Sequence, residues 1–172
     1  MKYSGIFTLV IFLVVSAGSA FGQETGDIEA SATVFGALSI TASTNVAFGN
    51  VAAGFTPNID VATEGQSSDV GSTWAEGVFD LTGSDEQNVL VTYPETINLT
   101  DDGTATTSEI TYTPQVVDAD RDNVSIGGSV LLGGGAADAG EQTLYVGGTL
   151  QEITTDMSGT YNATLTFSIE YQ

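Results

Sequence analysis

The C-terminal stretch GTYNATLTFSIEYQ sets Tyr161, Ala163, Leu165, Phe167, Ile169 and Tyr171 at every second position. Asn162, Thr164, Thr166, Ser168 and Glu170 fall between them. A period of two places the first set on one strand face and the second on the other, one dry and one wet. The same alternation, less regular, marks Ile28, Ala30, Ala32 and Val34; after Gly36 it resumes at Leu38, Ile40 and Ala42. Further short strands are expected at 45–51, 58–63, 76–83, 88–94, 109–117, 127–134 and 142–153. The clusters GSDEQN, DDGT, DADRDN, GGGAADAGE and DMSG supply turns between them. Nothing after residue 22 carries a helical period. About nine or ten short strands at this spacing predict an all-β fold, an antiparallel sandwich or barrel.

The first 22 residues follow another pattern. Lys2 precedes an apolar run, Ile6–Val15, and small residues follow it. Those are the three regions of a secretory signal peptide, and the run is short of the roughly 20 residues a membrane span needs. Cleavage is expected after Gly22, with Ala20 as the alternative. Residues 23–172 then form a single domain, with 23–35 as an extended N-terminal arm. The chain has no cysteine. Lipid attachment after the apolar run is therefore excluded, and an exported fold must stand without disulfides.

Charge narrows the partners. Twenty-two acids face two basic residues, Lys2 and Arg121, for a net charge of −20. Loss of Lys2 with the leader makes it −21. Such a polyanion repels nucleic acid and anionic lipid. It reads as a solvated acidic surface, or as an adaptation to high salt, where charges are screened over a few Å. Hydrophobic residues make up 41% of the chain and alternate with the acids, so a packed domain is expected.

Candidate chemistry is sparse. There is no histidine or cysteine, and the lone lysine leaves with the leader. The usual general base, thiol nucleophile, Schiff-base amine and soft metal ligands are thus missing, and no enzyme activity is expected. The one candidate metal site is DADRDN. Its carboxylates Asp118, Asp120 and Asp122 are hard oxygen donors of the kind calcium prefers. Counted from Asp118, Asn123 and Ser129 stand where an EF-hand loop wants glycine and glutamate, and Arg121 competes for the same carboxylates. The competing reading is a hairpin tip closed by Asx turns. No other cofactor is expected. Asn98-Leu99-Thr100, Asn123-Val124-Ser125 and Asn162-Ala163-Thr164 match the glycosylation triplet, a match that is chance more often than signal if the source is bacterial.

Three stretches fall in a familiar order: LSITASTNVAFGNVAAG (38–54), FDLTGSDEQNVLVTYPETINLTDDG (79–103) and LYVGGTLQEITTDMSGTYNATLTFSIEY (144–171). Together they resemble the bacterial secreted family catalogued as domain of unknown function 4402. That family is similar in layout to common-pilus and spore-coat-U-like fimbrial subunits. The resemblance implies an immunoglobulin-like, pilin-like sandwich lacking one strand, with a neighbour's N-terminal segment filling the gap. It also implies a place outside a bacterial cell, secreted through the periplasm or held at the surface. DADRDN is not a feature of the family, so the resemblance lends calcium no support.

The alternating Ile28, Ala30, Ala32 and Val34 suit an assembly arm that adds to a sheet edge of another subunit, with main-chain bonds for affinity and pockets for specificity. The competing reading makes them the first strand of their own sheet. The expected function is a non-catalytic surface or fimbria-like adhesion subunit. The alternatives are a monomeric extracellular module binding calcium or glycans, with Trp74 as its only tryptophan, and a small outer-membrane β-barrel.

Overall fold

The computed structural model describes residues 29, 31–101, 103, 109–134 and 137–172. All described strands fall within the unit Val34–Gln172. They are β1 Ser39–Thr44, β2 Asn58–Asp60, β3 Gln66–Ser68, β4 Gly77–Thr82, β5 Asn88–Thr92 and β6 Ile97–Asp101. β7 Glu109–Val117, β8 Gly128–Leu131, β9 Glu141–Leu150, β10 Tyr161–Asn162 and β11 Ser168–Tyr171 complete them. The pairings between these strands are antiparallel. The expected all-β antiparallel fold is what forms, in two unequal sheets.

The larger sheet runs β1-β4-β9-β7-β6-β10 and is curled into a half-barrel, with β2 and β3 attached beside β9. The smaller runs β11-β5-β8. β9 is the axis. One edge pairs with β7; the other pairs first with β4, up to Val146, and then with β2, from Gly148. Gly147 and Gly148 sit at that exchange, and the reason is steric. Gly148 has φ +124°, which an L side chain rarely adopts, and a Cβ there would strike the Thr113 carbonyl. A Cβ on Gly147 would meet the Ile59 carbonyl of β2.

The smaller sheet packs on part of the larger one over Leu81, Val89, Val91, Tyr93, Val116, Val130, Leu132, Leu144 and Val146. Farther along the same face of β7 and β9, Ile110, Tyr112, Leu150 and Ile153 form a second cluster. A third, Ile59, Val61 and Val117, lies on the opposite face with Trp74 and Tyr145. Val46 packs against all three clusters. It can do so because Gly77 leaves room: a Cβ there would lie 2.7 Å from Val46 Cγ2.

Two expectations need correction. The C-terminal alternation is not one strand but two short ones, because its two ends belong to different sheets. β10 pairs with β6 of the larger sheet and β11 with β5 of the smaller. Residues 163–167 cross between them with no ladder to any described strand. The stretch 45–51 makes only an isolated bridge, Ala47 to Ala75, and the Phe48 carbonyl accepts the Gly71 amide at 2.8 Å. β3 and β6 form where no strand was expected. β3 is polar at every position and gives no hydrophobicity signal, while β6 alternates over only Ile97–Thr100 before running into the turn residues at 101–103.

Candidate functional site

The two terminal strands of the curled sheet, β1 and β10, each have one described partner, β4 and β6 respectively. Both border the same groove. Its walls and floor draw on every strand of the main path: Ala42 and Thr44 from β1, Phe79 from β4, Val146 from β9, Tyr112 from β7, Leu99 from β6, Tyr161 from β10. The cavity measures about 520 Å³ and continues into a second of about 320 Å³, which reaches Val51, Ile110 and Leu150. The groove is thus the concave side of the half-barrel, opening between its two edges.

Each wall has a local cause. Ile40 of β1 turns into the core, and by alternation Ala42 should follow; it stays exposed because it faces the groove. β1 is held to β4 by paired hydroxyls of Ser39 and Thr82, 2.7 Å apart, and by Ser43 donating to Asp80. On the opposite wall, Phe167 anchors the crossing segment, its ring 4.6 Å from Phe79 and 5.3 Å from Tyr93. Leu165 reaches the core from that segment, while Ala163 and Thr164 stay exposed at the rim.

Tyr112 fixes the floor, and a second buried phenol, Tyr93, lies in the core between the sheets. Tyr112 donates to the Gly147 carbonyl at 2.5 Å, and its ring meets Phe48 edge-on at 5.6 Å. Tyr93 donates to the Val124 carbonyl at 2.6 Å. Burial pushes both phenols above the ordinary tyrosine range, Tyr112 furthest, so each stays a neutral donor under ordinary conditions.

DADRDN becomes a turn closed on itself. Asp118 Oδ1 accepts the amides of Asp120 and Asp122 at 3.0 and 2.9 Å, an Asx arrangement. Arg121, at φ +67°, points away from its three aspartates. Its guanidinium grips Glu76 through both terminal nitrogens at 2.9 and 3.2 Å, donates to the Val61 carbonyl at 3.1 Å and lies 3.6 Å over the Tyr145 ring. Among the described residues no group of three or more acids is gathered as a metal cage would be.

Of the assembly-arm residues, Ile28 and Ala30 lie outside the described residues. Ala32 and Val34 are exposed, and residues 31–38 form no strand. The chain enters the domain through a clamp. The Gly36 amide donates to Ser84 Oγ at 2.6 Å, Tyr171 Oη donates to the Gly36 carbonyl at 3.1 Å, and Phe35 packs on the Tyr171 ring at 5.0 Å.

Residues 38–171 match the family model described as domain of unknown function 4402. The chain belongs to the DUF4402 family. No curated protein matches it. The DUF4402 match begins two residues after Gly36, so the clamp ties Phe35 and Gly36, just before the matched residues, to Ser84 and Tyr171 within them. It spans both edges of the groove, β1 and the segment 161–167. Reading the DUF4402 sequence by alternation misses the groove residues Val46, Phe48, Leu99 and Tyr112. A signal for one wall was present: from Ala30 to Ile59 the chain has no charged residue at all.

Proposed function

We propose that this DUF4402 protein is a secreted, non-catalytic structural subunit of a bacterial surface. In this reading it joins neighbouring subunits by accepting an extended segment into the groove of its half-barrel, as a pilin-like sandwich short of one strand would. One observation carries the reading: both edges of a single curled sheet border one groove lined by no charged residue. An open edge presents a row of backbone donors and acceptors ready to pair with another strand. Here two such edges face the same space, so one incoming strand would satisfy both and place alternate side chains over Tyr112, Phe48 and Leu99. Main-chain pairing would supply affinity and the floor specificity. Non-catalytic work is supported by the absence of histidine and cysteine and by the engagement of Arg121 with Glu76.

The cysteine-free chain makes the test clean. A single thiol at the rim, Thr164→Cys, is labelled with a bulky maleimide and the particle size measured by sedimentation. Unlabelled protein is expected to associate and protect the thiol from reagent; labelled protein stays monomeric. Equal particle size with and without the label, at every concentration, would remove the groove from the account.

A further inference from the structure

We infer that Met157 is a modification site, oxidised to its sulfoxide by a neutral peroxide, and that the added oxygen releases the turn leading into β10. The inference goes beyond the strand-accepting reading, and none of its measurements requires subunits to associate. The chain has no cysteine and two methionines, Met1 and Met157. Met1 belongs to the expected leader, so Met157 holds the one sulfur left to the domain. A thioether is soft and polarisable, and a two-electron oxidant attacks it readily.

What sets Met157 apart is how its sulfur is held. It ends the turn 154–157, which is closed by the Met157 amide donating to the Thr154 carbonyl at 3.1 Å. The side chain folds back on the same turn: Sδ accepts the Thr154 amide at 3.4 Å and Gln151 Nε2 at 3.8 Å. Gln151 is itself tied to β7. Its Oε1 accepts the Thr111 amide at 3.1 Å, and its own amide donates to the Thr111 carbonyl at 2.9 Å. The sulfur is thus the last link in a run of bonds from the sheet to the turn. Met157 also packs on the cluster of Ile110, Tyr112, Leu150 and Ile153, as do Tyr161 and Leu165.

A small oxidant reaches this turn without global unfolding, because Met157 is half-buried while residues 154–156 and 158–160 are exposed. The chain's net charge of −20 repels anionic oxidants, which leaves a neutral one such as hydrogen peroxide. A sulfur lone pair attacks one peroxide oxygen, and the S–O bond forms as the O–O bond breaks. The departing hydroxide takes the hydroxyl proton and leaves as water. Sulfur loses two electrons and the peroxide gains them.

The sulfoxide does not fit where the thioether did. The new oxygen projects along a lone pair of the sulfur, and the two N–H donors already point there. Sulfur and nitrogen are only 3.4 and 3.8 Å apart. An N–H···O bond needs about 2.9 Å between nitrogen and oxygen alone, so the donor has to withdraw. The side chain, now polar, no longer suits its apolar cluster. Residues 159–162 follow directly and border the second cavity of the groove. Among the described residues β10 is held to β6 by two residue pairs, Tyr161 with Asp101 and Asn162 with Thr100. An edge held so briefly loosens with the turn that leads into it.

The test compares wild type with Met157→Leu, which keeps an apolar side chain of similar volume and has no sulfur. Both are treated with hydrogen peroxide and read by peptide mass mapping and amide hydrogen exchange. Wild type should gain one oxygen at Met157, and exchange across residues 154–162 should quicken by at least about tenfold. β5 and β11 of the smaller sheet keep their rates, and methionine sulfoxide reductases for both epimers restore the original pattern. Met157→Leu shows none of these changes. If Met157 takes up no oxygen while free methionine in the same tube is oxidised, the site is refuted. Oxygen at Met157 with unchanged exchange overturns the release. So does quickening in treated Met157→Leu, or a pattern that fails to recover once the oxygen is removed. Strand acceptance is untouched by each of these outcomes, and stands or falls on the labelling of Thr164→Cys.

Discussion

Arg121 shows how much one side chain can be asked to hold. It sits in a left-handed conformation that costs a non-glycine residue free energy, of order 1–3 kcal/mol. The fork to Glu76, the Val61 carbonyl and the Tyr145 ring offset that cost and tie the 118–122 turn to the start of β4. Both ends of the ion pair are only about one-fifth exposed. Arg121→Ala is expected to lower stability by about 2 kcal/mol in urea unfolding, since it orphans a half-buried carboxylate. Arg121→Lys recovers little of it, because an ammonium cannot reproduce two parallel bonds and a stacked plane. The buried phenols give the pH dependence. A folded pKa raised above the unfolded value of about 10 means that stability is full below pH 10 and falls as pH rises beyond it. Thermal melts should therefore show a decline starting near pH 10. Tyr112→Phe should flatten it, at a cost of about 1 kcal/mol at neutral pH for the lost bond to Gly147.

Among the elements, alternation was legible wherever a strand stays in one sheet with one face buried. The stretch 109–117 is β7 residue for residue, and 76–83, 88–94, 127–134 and 142–153 enclose β4, β5, β8 and most of β9. It failed where strands change sheet or partner. From Leu165 to Tyr171 the periodicity holds, since half-buried and exposed residues still alternate, but periodicity does not say which sheet each end joins. Nor could it reveal the exchange of β4 for β2 along β9. The pair Gly147-Gly148 marks that point, and only its φ and its close approach to Ile59 and Thr113 explain it. Gly148→Ala should cost about 3 kcal/mol or more in stability, measured by denaturant midpoint, because it combines a forbidden φ with a backbone collision. Gly65→Ala, also at positive φ but with open space around it, should cost clearly less.

At the scale of the molecule the sequence announced an antiparallel all-β protein lacking histidine and cysteine. The candidate site was harder to read. The aspartate run allowed a calcium loop or a hairpin tip closed by Asx turns, and Asp118 Oδ1 does accept the amides of Asp120 and Asp122. The groove gave almost no local signal, because a site made by two sheet edges is a property of curvature and strand order. Its fullest trace was an absence of charge. Two features now meet at one place: a sheet that curls without closing, and a groove lined by no charged residue on an otherwise acidic chain. A direct test is amide hydrogen exchange at Ala163–Phe167 and Ala42–Val46, followed as the protein is concentrated. The account predicts that these two edges slow together, by at least about tenfold, as particle mass rises. Growth in mass with unchanged exchange at both edges would contradict it.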